Sequence, residues 1–213
     1  GRQYLQLRRL TDAEADFSRA IELPPELFLP YVYRAGLYDR LEQRSMAIAD
    51  YQRVLQLNPE YIFAHAPLGV LHYLEAHWQP AARAFQQAYL HEPDEPSYAL
   101  LAALSWMHLG EQKQVQAYLS EQLGALPDDG WSKTIARFFL EPALEARTIT
   151  AANKETNKLK RARMLFFVAS RLLIEQRFDT ALRYLLLVRE IDRRDLPEKR
   201  IAADLLRRFG YDE

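Results

Sequence analysis

One pattern occurs three times in this sequence at a spacing of 34 residues. Ala13, Phe17, Ala20 and Pro25 recur as Ala47, Tyr51, Val54 and Pro59, and again as Ala81, Phe85, Ala88 and Pro93. A small residue, an aromatic one turn on, a small or β-branched residue a turn beyond that and a closing proline describe a helix with a defined stop. Proline ends it because it lacks the amide donor and clashes with the preceding turn. A fixed period near 34 marks stacked helical units, none of which can bury its apolar face alone.

Each unit carries a second helix upstream of the first. Its markers are Tyr31, Ala35 and Tyr38 in the second unit, and His65, Leu68, Gly69 and His72 in the third. In the first unit only Gly1 and Tyr4 stand at those places, so the sequence is expected to begin partway through a repeat of a longer chain. Small residues such as Ala35, Gly69, Ala47 and Ala81 let two antiparallel helices approach, and Phe17, Tyr51 or Phe85 fills the gap to the next unit. These markers resemble the tetratricopeptide repeat family, whose unit is a helix-turn-helix of 34 residues. The resemblance implies an all-α fold: a right-handed superhelix of stacked antiparallel helix pairs, an α-solenoid.

Repeats are expected at about 1–27, 28–61, 62–95 and 96–129, within one domain spanning 1–213. The fourth is worn: Ala103, Trp106, Val115, Leu119 and Pro127 hold the register, while Gln122 replaces a small residue. Then the register breaks. Pro127, Asp128, Asp129 and Gly130 form a turn cluster, followed by two irregular helices over 131–157 without repeat markers. A late repeat over 161–194 returns with Leu165, Val168, Ala169 and Leu172, then Ala181, Leu185 and Val188. A closing helix runs over 197–209, opened by Pro197, which is tolerated in a first turn, and stopped by Gly210.

The search for chemistry is negative. The chain has no cysteine, which removes disulfides, thiolate metal sites and cysteine nucleophiles. Its glycines stand alone, with no phosphate-binding loop, and no His-Glu-x-x-His or Gly-x-Ser-x-Gly motif occurs. His65 and His72 share a helix face two turns apart, about 10 Å along the axis, too far for one small metal ion. Both stand where the repeat carries a packing aromatic, so a packing role is expected. Asp128 and Asp129 read as capping and loop residues rather than a catalytic pair. No catalytic residue, metal or cofactor is assigned, and the chain is not expected to be an enzyme.

Charge is uneven. Residues 1–157 hold 14 Lys+Arg against 20 Asp+Glu, a net of −6, whereas residues 158–213 hold 14 against 9, a net of +5. Two readings stand for the basic end, with Lys158, Lys160, Arg161, Arg163, Arg193, Arg194, Arg207 and Arg208. It either meets an acidic partner, such as the front half of a second copy in a homodimer, or is a solvated helix face. Acids interleave at Glu190, Asp192, Asp195 and Glu198, and no nucleic-acid-binding motif accompanies them, so nucleic acid is not expected. The longest apolar runs fall far short of a membrane span.

In a tetratricopeptide-like superhelix the first helix of each unit lines the concave groove. There the third unit places Phe63, Val70, Tyr73 and Leu74, the fourth Leu100, Leu104, Met107 and His108, and the late repeat Phe166, Leu173 and Ile174. Only the second unit puts charges there, Asp39 and Arg40. An apolar groove of this kind either receives a hydrophobic segment of a partner protein or is filled by the chain's own irregular or closing helices, since such a patch is rarely left to water.

A narrower resemblance follows from Trp131, Phe138-Phe139-Leu140, Glu155-Thr156-Asn157, Phe167-Val168-Ala169, Phe178-Asp179-Thr180-Ala181, the run Glu198 to Ala202 and Gly210. In this order they are similar to the NlpI-type tetratricopeptide lipoproteins of bacterial envelopes. That resemblance implies a periplasmic or envelope-associated, homodimeric adaptor that scaffolds peptidoglycan hydrolases and an envelope protease. A lipid anchor would lie upstream of this sequence; a cytoplasmic location is the alternative. The competing functional expectation is a repeat domain that positions substrate for a larger enzyme or for a secretion or assembly complex.

Overall fold

Proline and a left-handed residue punctuate this chain in alternation, and the helices follow from that punctuation. The computed structural model describes residues 9–24, 27–128, 130–193 and 196–211. The expectations placed on Gly1, Tyr4, Pro25, Asp129, Arg194 and Asp195 lie outside them. The described residues are all-α. They hold twelve α-helices: α1 (Leu10–Ile21), α2 (Phe28–Arg40), α3 (Arg44–Leu57), α4 (His65–Leu74), α5 (Trp78–His91), α6 (Ser97–His108), α7 (Gln112–Gln122), α8 (Ser132–Leu140), α9 (Glu145–Lys154), α10 (Lys158–Ile174), α11 (Phe178–Arg189) and α12 (Pro197–Arg208). Short 3-10 turns, Ile62–Ala64 and Pro142–Leu144, lead into α4 and α9. The helices α3 and α5 each stop two residues before Pro59 and Pro93, as the repeat predicts. None of these helices is long and apolar enough to cross a membrane.

The turn inside each pair repeats as faithfully as the helices. Glu42, Ala76 and Gly110 hold φ of 57°, 57° and 72°, one repeat apart, and Gln176 at 62° does the same in the late pair. The amides of Gln43, Glu111 and Arg177 reach back to the carbonyls of Tyr38, Trp106 and Leu172, capping carbonyls that the helix end leaves open. Only Gly110 is a glycine, so three of these four left-handed positions carry no sequence signal.

The chain divides into two compact units, Gly1–Ala76 and His77–Glu213, parting between the two helices of the third repeat. In the first unit α1 packs on α2, α2 on α3 and α3 on α4. Ala13, Phe17 and Leu37 form its core, with Leu10 and Tyr33 packed against it; the Phe17 and Tyr33 rings stack at 5.5 Å. Ala35 and Ala47 are wholly buried, as close helix approach requires. Arg34 ties three helices together. Its Nε and Nη2 donate to Asp50 at 2.8 Å each and its Nη1 to Ser18 at 3.0 Å. The Asp50 carboxylate holds the guanidinium pKa above its usual value against the cost of burial.

In the second unit the pairs α5/α6, α6/α7, α10/α11 and α11/α12 pack in sequence order. The helices of the break are not an appendage: α8 lies against both α6 and α10, and α9 against α10. Trp131, Phe138, Phe139, Phe166 and Phe167 form one aromatic cluster there. Phe167 stacks on Trp131 at 6.1 Å and meets the edges of Phe139 and Phe166 at 6.0 and 5.1 Å. The repeat markers pack as expected, with Ala81 and Phe85 fully buried. Phe85→Ala is expected to cost about 3–5 kcal/mol and Ala81→Leu about 1–3 kcal/mol through overpacking. Urea unfolding of the chain checks both, and an unchanged midpoint for either would remove it from the packing scheme.

Candidate functional site

The residues expected to line a groove are mostly interior. Val70, Tyr73 and Leu74 are buried in the first unit, and Leu100, Leu104, Met107 and Phe166 in the second. His108 and Leu173 are half-buried, as is Ile174. Phe63 alone of the set is well exposed, at 66%. Of the two expectations for this apolar face, the burial of α6 in the second unit agrees with the one in which the chain's own helices cover it. There α6 is contacted by α5, α7, α8 and α10, so every side chain from Ala99 to Met107 is buried. The apolar face of α6 attracts a helix, as the sequence indicated, but the helices come from the same chain.

His108 ends α6 with its ring stacked 3.9 Å from Trp78 at an interplanar angle of 5°. Burial pushes its pKa down to about 4, so it is neutral in this stack at physiological pH. His72 is buried and His65 half-buried, in keeping with packing positions.

The covering helices are tied down by three arginines, of which Arg171 is buried, Arg163 half-buried and Arg177 exposed. Arg171, on α10, is 6% exposed. Its Nη1 donates to the Phe138 carbonyl at 2.5 Å and its Nε to Glu175 at 2.9 Å. The guanidinium also lies 4.6 Å from the Phe138 ring centre. It thus caps the C-terminal end of α8, where cations complement the helix dipole. Arg177 holds Glu145 at the start of α9 through two bonds of 2.5 and 2.7 Å, and keeps that carboxyl below the usual range.

A third tie gathers four segments. Arg163 on α10 donates to Glu95 at 2.7 Å, lies 3.4 Å from Glu198 of α12, and stands 5.3 Å over the Trp131 ring. Ser97 at the start of α6 donates its hydroxyl to Glu198. The basic end loses this arginine from its surface, and Arg207 and Arg208 both pair with Asp204. Asp128 pairs with Lys133 in an exposed turn, as a loop residue does.

The exposed part of the expected surface lies in the first unit. Phe28, which opens α2, meets Tyr61 at 5.2 Å, and Tyr61 meets Phe63 at 5.7 Å, giving a run of three rings. Leu27 and Leu29 flank Phe28 in sequence, 54% and 45% exposed. Among the described residues no group of three or more His, Cys, Asp or Glu side chains could hold a metal ion.

Residues 31–61, which span α2, α3 and the turn after them, match the family model described as tetratricopeptide repeat. Those residues form a tetratricopeptide repeat. Over 133 residues the chain is 29% identical to the lipoprotein NlpI homolog of Haemophilus influenzae. The match covers 60% of the chain but only 40% of that protein's length. A solved structure, that of YrrB, described as a TPR protein with an unusual peptide-binding site, aligns with a TM-score of 0.45 and 18% identity. That alignment covers 87% of this chain and 96% of YrrB, a likeness too distant to bear on any site.

Burial raises the Glu198 carboxyl above its usual pKa, against the opposing pull of Arg163 and Ser97. A carboxyl raised in the folded state binds its proton more readily there, so its contribution to stability falls as pH rises above the ordinary glutamate value. Glu198→Gln is therefore expected to gain on the wild type between about pH 4.5 and pH 7. Thermal melts across that range check the sign. A gap moving the other way would mean that the Arg163 attraction outweighs the cost of burial.

Proposed function

We propose that this protein is a non-catalytic scaffold that holds a partner protein through an apolar segment on the Phe28–Tyr61–Phe63 surface. The observation that carries the reading is Phe63, 66% exposed at the end of a ring run whose other members, Phe28 and Tyr61, are half-buried, where the rest of the expected groove set is buried or half-buried. Exposed apolar patches on a folded domain mark interaction sites, and aromatic side chains are the usual anchors of such contacts. A helix laying one apolar face on this run would present side chains at successive turns.

The likeness to a lipoprotein supports an association with a membrane or cell envelope, through a lipid rather than a spanning helix. In this reading the protein is an adaptor in envelope maintenance.

The test is quantitative capture from a native envelope extract by the wild type and by Phe63→Asp, with circular dichroism confirming the fold. Phe63 is exposed in a short 3-10 turn, so the substitution leaves the core intact. Loss of a central aromatic anchor costs about 2 kcal/mol or more, so specific partners should fall by at least about tenfold. Capture of the same proteins at equal yield would place the binding surface elsewhere.

A further inference from the structure

The helices of the break carry a second surface, which belongs to the other unit and is independent of the reading above. A pocket of about 230 Å³ opens between α8 and α9, lined by Thr134, Arg137, Leu144, Arg147, Thr148 and Ala151. Thr134 and Arg137 share a face of α8, and Leu144, Arg147, Thr148 and Ala151 recur at helical spacing from the cap of α9. Neither helix shows the repeat markers.

The charges in this wall have one sign. Arg137 and Arg147 make no hydrogen bond or ion pair within the described residues, and the lining holds no carboxylate. Glu145, two residues before Arg147, is held by Arg177. Arg137 stands in the last turn of α8, where a cation complements the helix dipole. Arg147 has no such reason for its place. It stands in the first turn of α9, at the positive end of the dipole, and an anion in the pocket would offset that cost.

Thr148 supplies an independent observation. It is 2% exposed, yet its hydroxyl makes no hydrogen bond within the described residues and is not sealed from water. The other threonines of these helices, Thr134 and Thr150, donate to the carbonyl four residues back, at 2.6 and 2.8 Å. Thr148 does not, which leaves its donor for whatever enters the pocket. Thr134 has the opposite capacity: with its proton on the Gly130 carbonyl, its oxygen can only accept.

Two guanidiniums and a free hydroxyl are the donors that a buried carboxylate requires. The accepting Thr134 oxygen calls for an N–H or O–H close to the negative group, which a phosphate monoester dianion lacks. Leu144 and Ala151 suit a short apolar side chain. The volume lies below the roughly 300 Å³ at which pockets for drug-sized ligands begin. One small chemical unit has all three parts: an N-acylated α-amino acid with a short apolar side chain, whose amide N–H lies next to its carboxylate. We infer that the α8/α9 pocket binds this unit, as a small molecule or as the last residue of a chain. Arg137, Arg147 and Thr148 take its carboxylate and Thr134 its amide.

The experiment titrates the chain, labelled at arginine Nε and threonine methyls, with four probes followed by NMR at constant ionic strength. They are N-acetylalanine, N-acetylalanine amide, methyl phosphate, and an acetylated pentapeptide of Ser and Gly that ends in a free alanine. N-Acetylalanine should shift the Thr148 methyl and the Arg137 and Arg147 signals saturably, and its amide should not. Arg147→Gln and Thr148→Val should each weaken that binding about tenfold. Neither unliganded variant should melt lower than the wild type, because neither side chain has a partner to lose within the described residues. Tighter binding of the pentapeptide assigns the site to a chain terminus, and equal or weaker binding assigns it to the small molecule. No saturable shift with N-acetylalanine, equal shifts with its amide, stronger binding of methyl phosphate, unchanged affinity in either variant, or a lower melting temperature for either would each overturn the inference.

Discussion

The burial of α6 on every side decides what the second unit can be. This helix carries an unbroken apolar run from Ala99 to Leu104 and ends in Trp106 and Met107. A helix that is apolar all round must be covered all round. Two of its neighbours, α5 and α7, come from the regular repeat, and the other two, α8 and α10, come from the break and from the late repeat. The repeat pattern has to break after α7 for this to happen, because a regular continuation would stack the next pair alongside rather than over α6. The lost register between Pro127 and Asn157 is thus the feature that closes this core.

Closing a core with irregular helices raises the problem of their ends, where backbone carbonyls lose their intrahelical partners. Arg171 answers it at α8, and its aliphatic stem and planar head fit beside Phe138. The Glu95–Arg163–Glu198 group raises a harder question, since charges taken out of water rarely gain net stability from their pairing. With Trp131 and Ser97 it joins α6, α10, α12 and the start of α8 at one point. Its physical value lies in register: a shifted α12 would leave Arg163 and Glu198 buried and unpaired, so only one docking of the closing helix is tolerated.

Much of this was legible in the residues. The 34-residue spacing gave the pair boundaries, and Pro59, Pro93 and Pro197 marked two stops and a start to within two residues. The short apolar segment after Gly130 and the helix after Pro142 were readable as helices, though not where they go. The unbroken apolar run shows that α6 must be covered, but nothing local says by which chain, and that is why the sequence left open whether Leu100, Leu104 and Met107 line a groove or lie under the chain's own helices. Arg163 and Arg171 looked like members of a basic surface or ordinary helix residues, because their partners, Glu95 and the Phe138 carbonyl, are 68 and 33 positions away. The left-handed Glu42, Ala76 and Gln176 could not be read at all, since none is Gly or Asn. By contrast Gln122 was visible as a misfit in the repeat, and it proves to line a pocket.

The central claim is that the irregular helices are structural core, and native-state hydrogen exchange under rising urea tests it most directly. The amides of Ile135 to Phe139 in α8 should exchange with the same free energy and the same urea dependence as those of Leu100 to Trp106 in α6 and Leu165 to Ala169 in α10, as one cooperative block does. Opening of α8 at markedly lower free energy, with α6 still fully protected, would contradict the account and return the apolar face of α6 to the role of a site for a partner.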